Sequence, residues 1–287
     1  MTRFATQCAL LYAILVMAVL FWASLGHPMQ EFFLLIATGA LLAASLLMER
    51  LRPFRKDWNT SADDTLGDIG SFVIIFGLLD GVLKWASPFV ILALLPQGAG
   101  LDWPLWVQII TVTLVIEFGA WISHWAHHRF APLWALHAMH HSPERLYTLN
   151  NFRFHPLNHI LNHGLMILPA MALGFAPEAL LAYVALSTPI LIFQHTNADL
   201  DFGILNRLFN TNDLHRWHHS TARDEGTHNL GRALVIWDHV FGTYLNPADR
   251  DAPSAVGLFA TSRAYPKAAN FMAQILWPFA RCCRKPS

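Results

Sequence analysis

The chain has 287 residues, of which 54% are hydrophobic and 13% charged, about half the charge of an ordinary soluble domain. This composition points to a membrane and excludes disordered and collagen-like classes; nineteen Lys+Arg balance nineteen Asp+Glu, so no basic field exists to attract nucleic acid. Three cysteines, Cys8, Cys282 and Cys283, are too few for a disulfide framework or a thiolate metal site.

Four apolar runs come first, at 8–25, 32–48, 71–95 and 104–123. Each is near the roughly 20 residues that cross about 30 Å of hydrocarbon as a helix. The first follows Arg3 but is longer than a signal-peptide core and lacks an A-x-A site, so it is expected to be an anchor. In the third, Asp80 and Lys84 share a helical face, and either pair or face the protein interior. A fifth apolar stretch, 160–193, is too long for one crossing. Pro169, Pro177 and Glu178 break it, which predicts a hairpin of two shorter helices turning near 175–178.

The loops orient these spans. Residues 49–56 carry four basic side chains, whereas 26–30 and 96–103 carry none, so 49–56 is expected in the cytoplasm. Four crossings then return the chain to that side at His124, and the hairpin returns His195 to it. Every histidine from His124 to His239 is therefore expected in one cytoplasmic cap, beside Arg129, Arg145, Arg153, Arg207, Arg216, Arg223 and Arg232. The basic tail at 281–285 agrees with that side. The predicted fold is all-α: a polytopic membrane stem over 1–123, a histidine region over 124–250 that includes the hairpin, and a tail over 251–287. The location expected is the cell inner membrane, with the active site cytoplasmic.

Histidine is the anomaly. The chain has sixteen, and all but His27 lie between His124 and His239. They concentrate in His124-Trp-Ala-His-His128, His137-Ala-Met-His140-His141 and His215-Arg-Trp-His218-His219. Residues three and four apart share a helical face, so each box offers two or three imidazoles to one point. Eight converging imidazoles exceed the four ligands of a single zinc and suit two ions about 3.5–4 Å apart.

Other histidines have plainer readings: His27, His163 and His239 as solvated or hydrogen-bonded side chains, and His155 with His159 as interfacial residues orienting a ligand or a lipid headgroup. Trp121, Trp125 and Trp134 are expected in an interfacial belt, and Trp217, between two box histidines, should point away from the metals. Arg145 and Arg153 either bind a lipid anion or are solvated positive charge. There is no H-E-x-x-H, and Glu117 stands seven residues before His124, so the E-x-x-H of soluble di-iron bundles is missing too. Imidazole alone does not choose among Fe, Zn, Cu and Ni. A histidine-rich metal transporter or metal-binding membrane protein is the alternative, but it needs polar ligands within the crossings. A b-haem carrier would leave the boxes unexplained.

The boxes and their flanks resemble the fatty acid hydroxylase/sterol desaturase superfamily of membrane histidine-box oxidoreductases. The flanks are Glu117-Phe, Leu133-Trp134, the RFHP at Arg153–Pro156, Gln194-His195-Thr-Asn197 and the Ile236-Trp-Asp-His run to Thr243. The similarity covers 116–244. Its first box is H-x-x-x-H, which places it nearer the hydroxylase and sterol branch than the acyl-CoA desaturases. The resemblance implies an O2-dependent di-iron enzyme that hydroxylates or desaturates a lipid C–H bond in lipid biosynthesis. Metal ligands implied are His124, His128, His137, His140, His141, His215, His218 and His219, with His195 as a ninth. Asp199 stands where some members place one more histidine, and His228 is expected beside the ligands or at the surface. Electrons must come from a ferredoxin- or cytochrome-type donor with its reductase, because the chain has neither a dinucleotide fingerprint nor an iron–sulfur cysteine set.

Overall fold

A computed structural model describes residues 2–94, 101–248, 250 and 252–282. The described residues are helical, with two isolated β-bridges and no named strand. Residues 95–100 and 283–287 lie outside them, so the end of the third apolar run, most of the loop after it, Cys283 and the end of the basic tail carry no structural statement.

Helices α1 (Arg3–Ala23) and α2 (Gln30–Leu51) form the first two apolar spans. The third starts earlier than its apolar run: α3 (Thr65–Phe72) continues through a π-helical stretch (Val73–Leu79) into α4 (Asp80–Leu94). Asp68 explains the early start, because it sits buried in α3 and receives Arg153 and the Tyr147 hydroxyl. A carboxylate is tolerated there because it is paired. Of the two arrangements open to Asp80 and Lys84, the structure shows the pair, at 2.8 Å. Helix α5 (Leu105–Arg129) is the fourth span. These four helices are long and apolar enough to cross a membrane, and apolar side chains such as Leu15, Leu35, Leu66 and Ile110 cover their outer faces. The chain is a membrane protein.

The predicted hairpin is α7 (Pro156–Ala172) and α8 (Pro177–Phe193). The turn falls at 173–176, where Gly174 adopts a φ of 80°, a left-handed conformation that costs glycine little. Pro177 opens α8, the position where a missing N–H costs nothing. Pro169, expected to break the stretch, stays inside α7. Helix α5 crosses α7 so closely that a Cβ at Gly119 would lie 2.1 Å from Leu165 O; only glycine permits that approach. Ala182 and Ala185 on α8 similarly admit Met17 and Phe21 of α1.

Helix α6 (Ala131–His141) follows α5 after one residue. The short helices α9 (Asn212–His218), α10 (Arg223–Gly226) and α11 (Ile236–Phe241) then carry the third box and its flank. The segment expected as a tail contains α12 (Phe271–Cys282), which packs on α6 through Ile275 and Trp277. Gln274 of α12 is buried; it receives Arg153 and donates to Ser142 Oγ.

Candidate metal centre

The last turns of α5 present His124 and His128, α6 ends on His137, His140 and His141, and α9 brings His215, His218 and His219. His195 enters just past the end of α8. The structure brings all nine expected histidines together, in two groups. The first holds His124, His128, His137, His141 and His218; the second holds His140, His195, His215 and His219. Within each group, one ring nitrogen per residue lies within 4.8 Å of the others. The groups touch: the His141 and His219 ring centroids are 4.3 Å apart.

Hydrogen bonds fix which nitrogen faces inward. A carbonyl oxygen can only accept, so each ring nitrogen beside one carries the proton. His124 Nδ1 donates to Leu230 O at 2.8 Å, His137 Nδ1 to Asn158 Oδ1 at 2.9 Å and His218 Nδ1 to His228 O at 2.9 Å. In the second group, His140 Nδ1 donates to Arg153 O at 3.2 Å and His195 Nδ1 to Asn150 Oδ1 at 2.7 Å. Asn150 is itself oriented, its amide donating to Arg145 O. Such outward bonds set the tautomer and aim of metal-binding imidazoles.

The consequence is sharpest at His124 and His137. Both Nδ1 atoms donate, so both Nε2 atoms carry lone pairs, and these face each other at 3.0 Å. Two acceptors repel at that distance unless a cation joins them. His128 and His141 have neither ring nitrogen hydrogen-bonded although both are buried, and His218 Nε2, His215 Nδ1 and His219 Nδ1 are likewise without partners. Unsatisfied buried polar atoms are rare and costly, so this many in one basin fits a bound metal. Outside the spans, burial holds His137, His141, His195, His215, His218 and His219 well below their ordinary pKa and His140 at about 3, with mutual repulsion adding to it. Neutral imidazole is the form that binds metal.

The remaining histidines divide. His155 caps α7: its Nδ1 accepts from Leu157 N and its Nε2 donates to Ile275 O, so it holds α12 and does not meet a headgroup. His159 lies 3.5 Å from Asp80. His163 bonds Ser87, and His239 bonds Arg207 O. His228 reaches the basin through its backbone carbonyl. Trp217 is buried beneath the Arg250 guanidinium. Trp121 and Trp134 are not belt residues. They donate indole N–H bonds to Thr243 and Ser262, and Trp134 stacks on Phe259.

Arg145 and Arg153 are neither solvated nor turned to lipid. Arg145 pairs with Asp64 at 2.6 Å and Arg153 with Asp68, all four buried. The Arg145 guanidinium outweighs the burial of Asp64 and holds its carboxyl below the usual value. These pairs pin the 142–155 loop, and with it Asn150 and Arg153 O, against α3.

Two carboxylates do comparable work without having been assigned any role from the sequence. Asp238 accepts from Leu230 N and Gly231 N, each at 2.8 Å, and from Thr243 Oγ1. Glu117 accepts from Ala233 N, Leu234 N and the Tyr183 hydroxyl. Together they shape residues 230–234, whose Leu230 carbonyl fixes His124. The only sequence signal was their place in the flanking motifs.

A family model described as fatty acid hydroxylase matches residues 109–243. Among curated proteins, the ornithine lipid hydroxylase OlsE of Rhizobium tropici is 32% identical over 259 residues, covering 87% of this chain and 76% of that protein. Alkylglycerol monooxygenase of Danio rerio is 27% identical over 148 residues, 52% of this chain and 32% of that one. Delta(7)-sterol-C5(6)-desaturase of Nicotiana tabacum is 32% identical over 157 residues, 52% and 54% of the two chains. No solved structure matches. The chain belongs to the fatty acid hydroxylase family. It is an oxidoreductase acting on lipid.

Proposed function

We propose that the chain hydroxylates a lipid C–H bond at a di-iron centre, with His124, His128, His137, His141 and His218 holding one iron and His140, His195, His215 and His219 the other. The facing lone pairs of His124 and His137 are the observation that carries this reading. Bound iron would activate O2 for insertion into the bond. In the overall balance, O2, two electrons and two protons convert R–H to R–OH and water. Hydroxylation is favoured over desaturation because the relative matched over most of both chains is named a hydroxylase. The electrons come from a ferredoxin- or cytochrome-type donor with its reductase.

The protein's own part is to aim and to enclose. The Nδ1 donations hold five imidazoles in one tautomer, and the buried basin keeps bulk water from the reacting carbon. A cavity of about 120 Å³ adjoins both groups. Ala120 and Met166 line it from α5 and α7, so it extends along the spans, and a lipid would enter it from the membrane.

The regions serve this as a stem over 1–123, a histidine region over 124–250 and a C-terminal segment over 251–287 that braces α6. The active site faces the cytoplasm of the inner membrane. Arg50, Arg52, Arg55 and Lys56 support that side, all being exposed. Arg145, Arg153, Arg216 and Arg232 do not count toward it, since their bonds are internal. Comparing lipids from cells with and without the protein by mass spectrometry tests the activity. A species 16 Da heavier is expected, and one 2 Da lighter would replace hydroxylation by desaturation.

A further inference from the structure

Three internal arginines have a carboxylate of their own: Arg145 has Asp64, Arg153 has Asp68 and Arg216 has Asp213. Arg232 does not. Among the described residues it makes no ion pair within 4.0 Å. Among the same residues its one side-chain hydrogen bond runs from Nη1 to the Tyr183 hydroxyl at 2.9 Å. The Tyr183 hydroxyl in turn donates a hydrogen bond to Glu117 Oε1 at 2.7 Å, and the backbone N–H groups of Ala233 and Leu234 donate to the same carboxylate. Glu117 is thus a counter-charge at one remove, through Tyr183, and Asp80 acts on the guanidinium without pairing with it. Among the described residues most of the five-donor fork has no hydrogen-bond partner.

Arg232 lines the cavity beside the histidine groups. His127 lines the same cavity without belonging to either group. Its Nδ1 donates to Ser123 O at 2.7 Å, so its Nε2, buried and without a partner, is an acceptor. A cavity of about 120 Å³ is well below the roughly 300–1,000 Å³ of pockets that enclose a whole drug-sized ligand, so only a compact part of a lipid fits. A cation and an acceptor in one small chamber suit a group carrying an anion and an N–H or O–H. An apolar acyl segment would leave both unsatisfied, at a cost.

We propose that Arg232 is a specificity-determining residue that binds an anionic headgroup group of the lipid, a carboxylate or a phosphate, while His127 accepts a hydrogen bond from a neighbouring N–H or O–H. The inference rests on the lipid-oxidising reading and deepens it. The oxidised carbon then lies near the polar end of the substrate, and the tail remains in the membrane.

The test measures binding of defined probes to the purified, metal-containing protein in neutral detergent, by quenching of its tryptophan fluorescence. The probes are N-palmitoylglycine, its methyl ester, hexadecyl phosphate and the diethyl ester of that phosphate. Wild type is expected to bind at least one anionic probe at least about tenfold tighter than its ester, the scale of a lost charge-assisted hydrogen-bond pair. Which anion shows the preference identifies the headgroup chemistry. Arg232→Gln should erase the preference, Arg232→Lys should keep part of it, and Tyr183→Phe, which retains the guanidinium, should keep it. Equal binding of acid and ester by wild type, or a preference surviving in Arg232→Gln, overturns the proposal while leaving lipid oxidation standing. Binding of no long-chain probe would overturn both. Because Arg232→Lys and Tyr183→Phe report on the same contrast, a failure of Arg232→Gln to fold does not block the answer.

Discussion

Helices α1 and α2 bury few side chains, among them Leu10, Met17, Phe21 and Leu34, and leave Tyr12, Leu15, Val19, Leu35 and Ile36 on the outside. The basin bounded by α5, α6 and α9 is built the other way. Its interior holds His137, His141, His219, Asn150, Asn158, Asn229 and Arg153, all nearly or fully buried. Lipid tails are as apolar as leucine, so the stem helices gain little by hiding apolar surface from one another. Small residues such as Ala182 and Ala185 let them pack. The basin depends on directed bonds: Asn150, Asn158, Asn229 and Arg153 each hold a specific partner, and the unpartnered ring nitrogens call for one. The stem therefore tolerates change in its outer residues, and the basin does not.

The largest effect expected is on turnover. His141→Ala and His219→Ala each remove one imidazole from a different group and should abolish lipid hydroxylation while the protein still inserts, measured as product per inserted protein. Substantial turnover by either would remove that residue from the assignment. Metal removal comes next. A chelator should lower the unfolding temperature of the purified protein because binding energy is coupled to folding of the basin. The lost protection should map by hydrogen exchange to 124–141 and 212–235, with α1 and α2 unchanged. Loss spread evenly through the stem would contradict the contrast between the regions.

Smaller effects follow from the residues that aim the histidines. Asn158→Ala removes the acceptor for His137, and Asp238→Ala frees residues 230–231, which position His124. Each is expected to weaken metal affinity about 10–100-fold, read by competition with a chelator of known affinity. The smallest effect belongs to the stem's outer face, where Leu15→Ala and Ile36→Ala should change stability by no more than about 0.5 kcal/mol. A larger loss would mean that those faces meet protein.

How much of this was legible in the sequence differs in the same way between the regions. The boxes were readable because helical spacing is local: three- and four-residue intervals dictate which imidazoles share a face. The hairpin was readable from its length and Pro177, and the Asp80–Lys84 pair from its i,i+4 spacing. What escaped depends on distant partners. Arg153 finds Asp68 across 85 positions, and Glu117 meets Ala233 across 116. The atoms that fix His124, His140 and His218 are backbone carbonyls, which every residue has and no motif marks. The hold of His155 on α12 was hidden for a similar reason, because Ile275 O comes from a segment that looked like a tail.

The central claim is that these nine histidines form two metal sites, each with its own residues. Metal content per chain, measured on protein assembled with iron under low oxygen, tests it most directly. Wild type should hold two irons and show no haem absorption. His141→Ala should lose metal from one site and His219→Ala from the other, each retaining about one iron. A single iron in wild type, or loss of both irons together in one variant and of neither in the other, would contradict the assignment of the two groups.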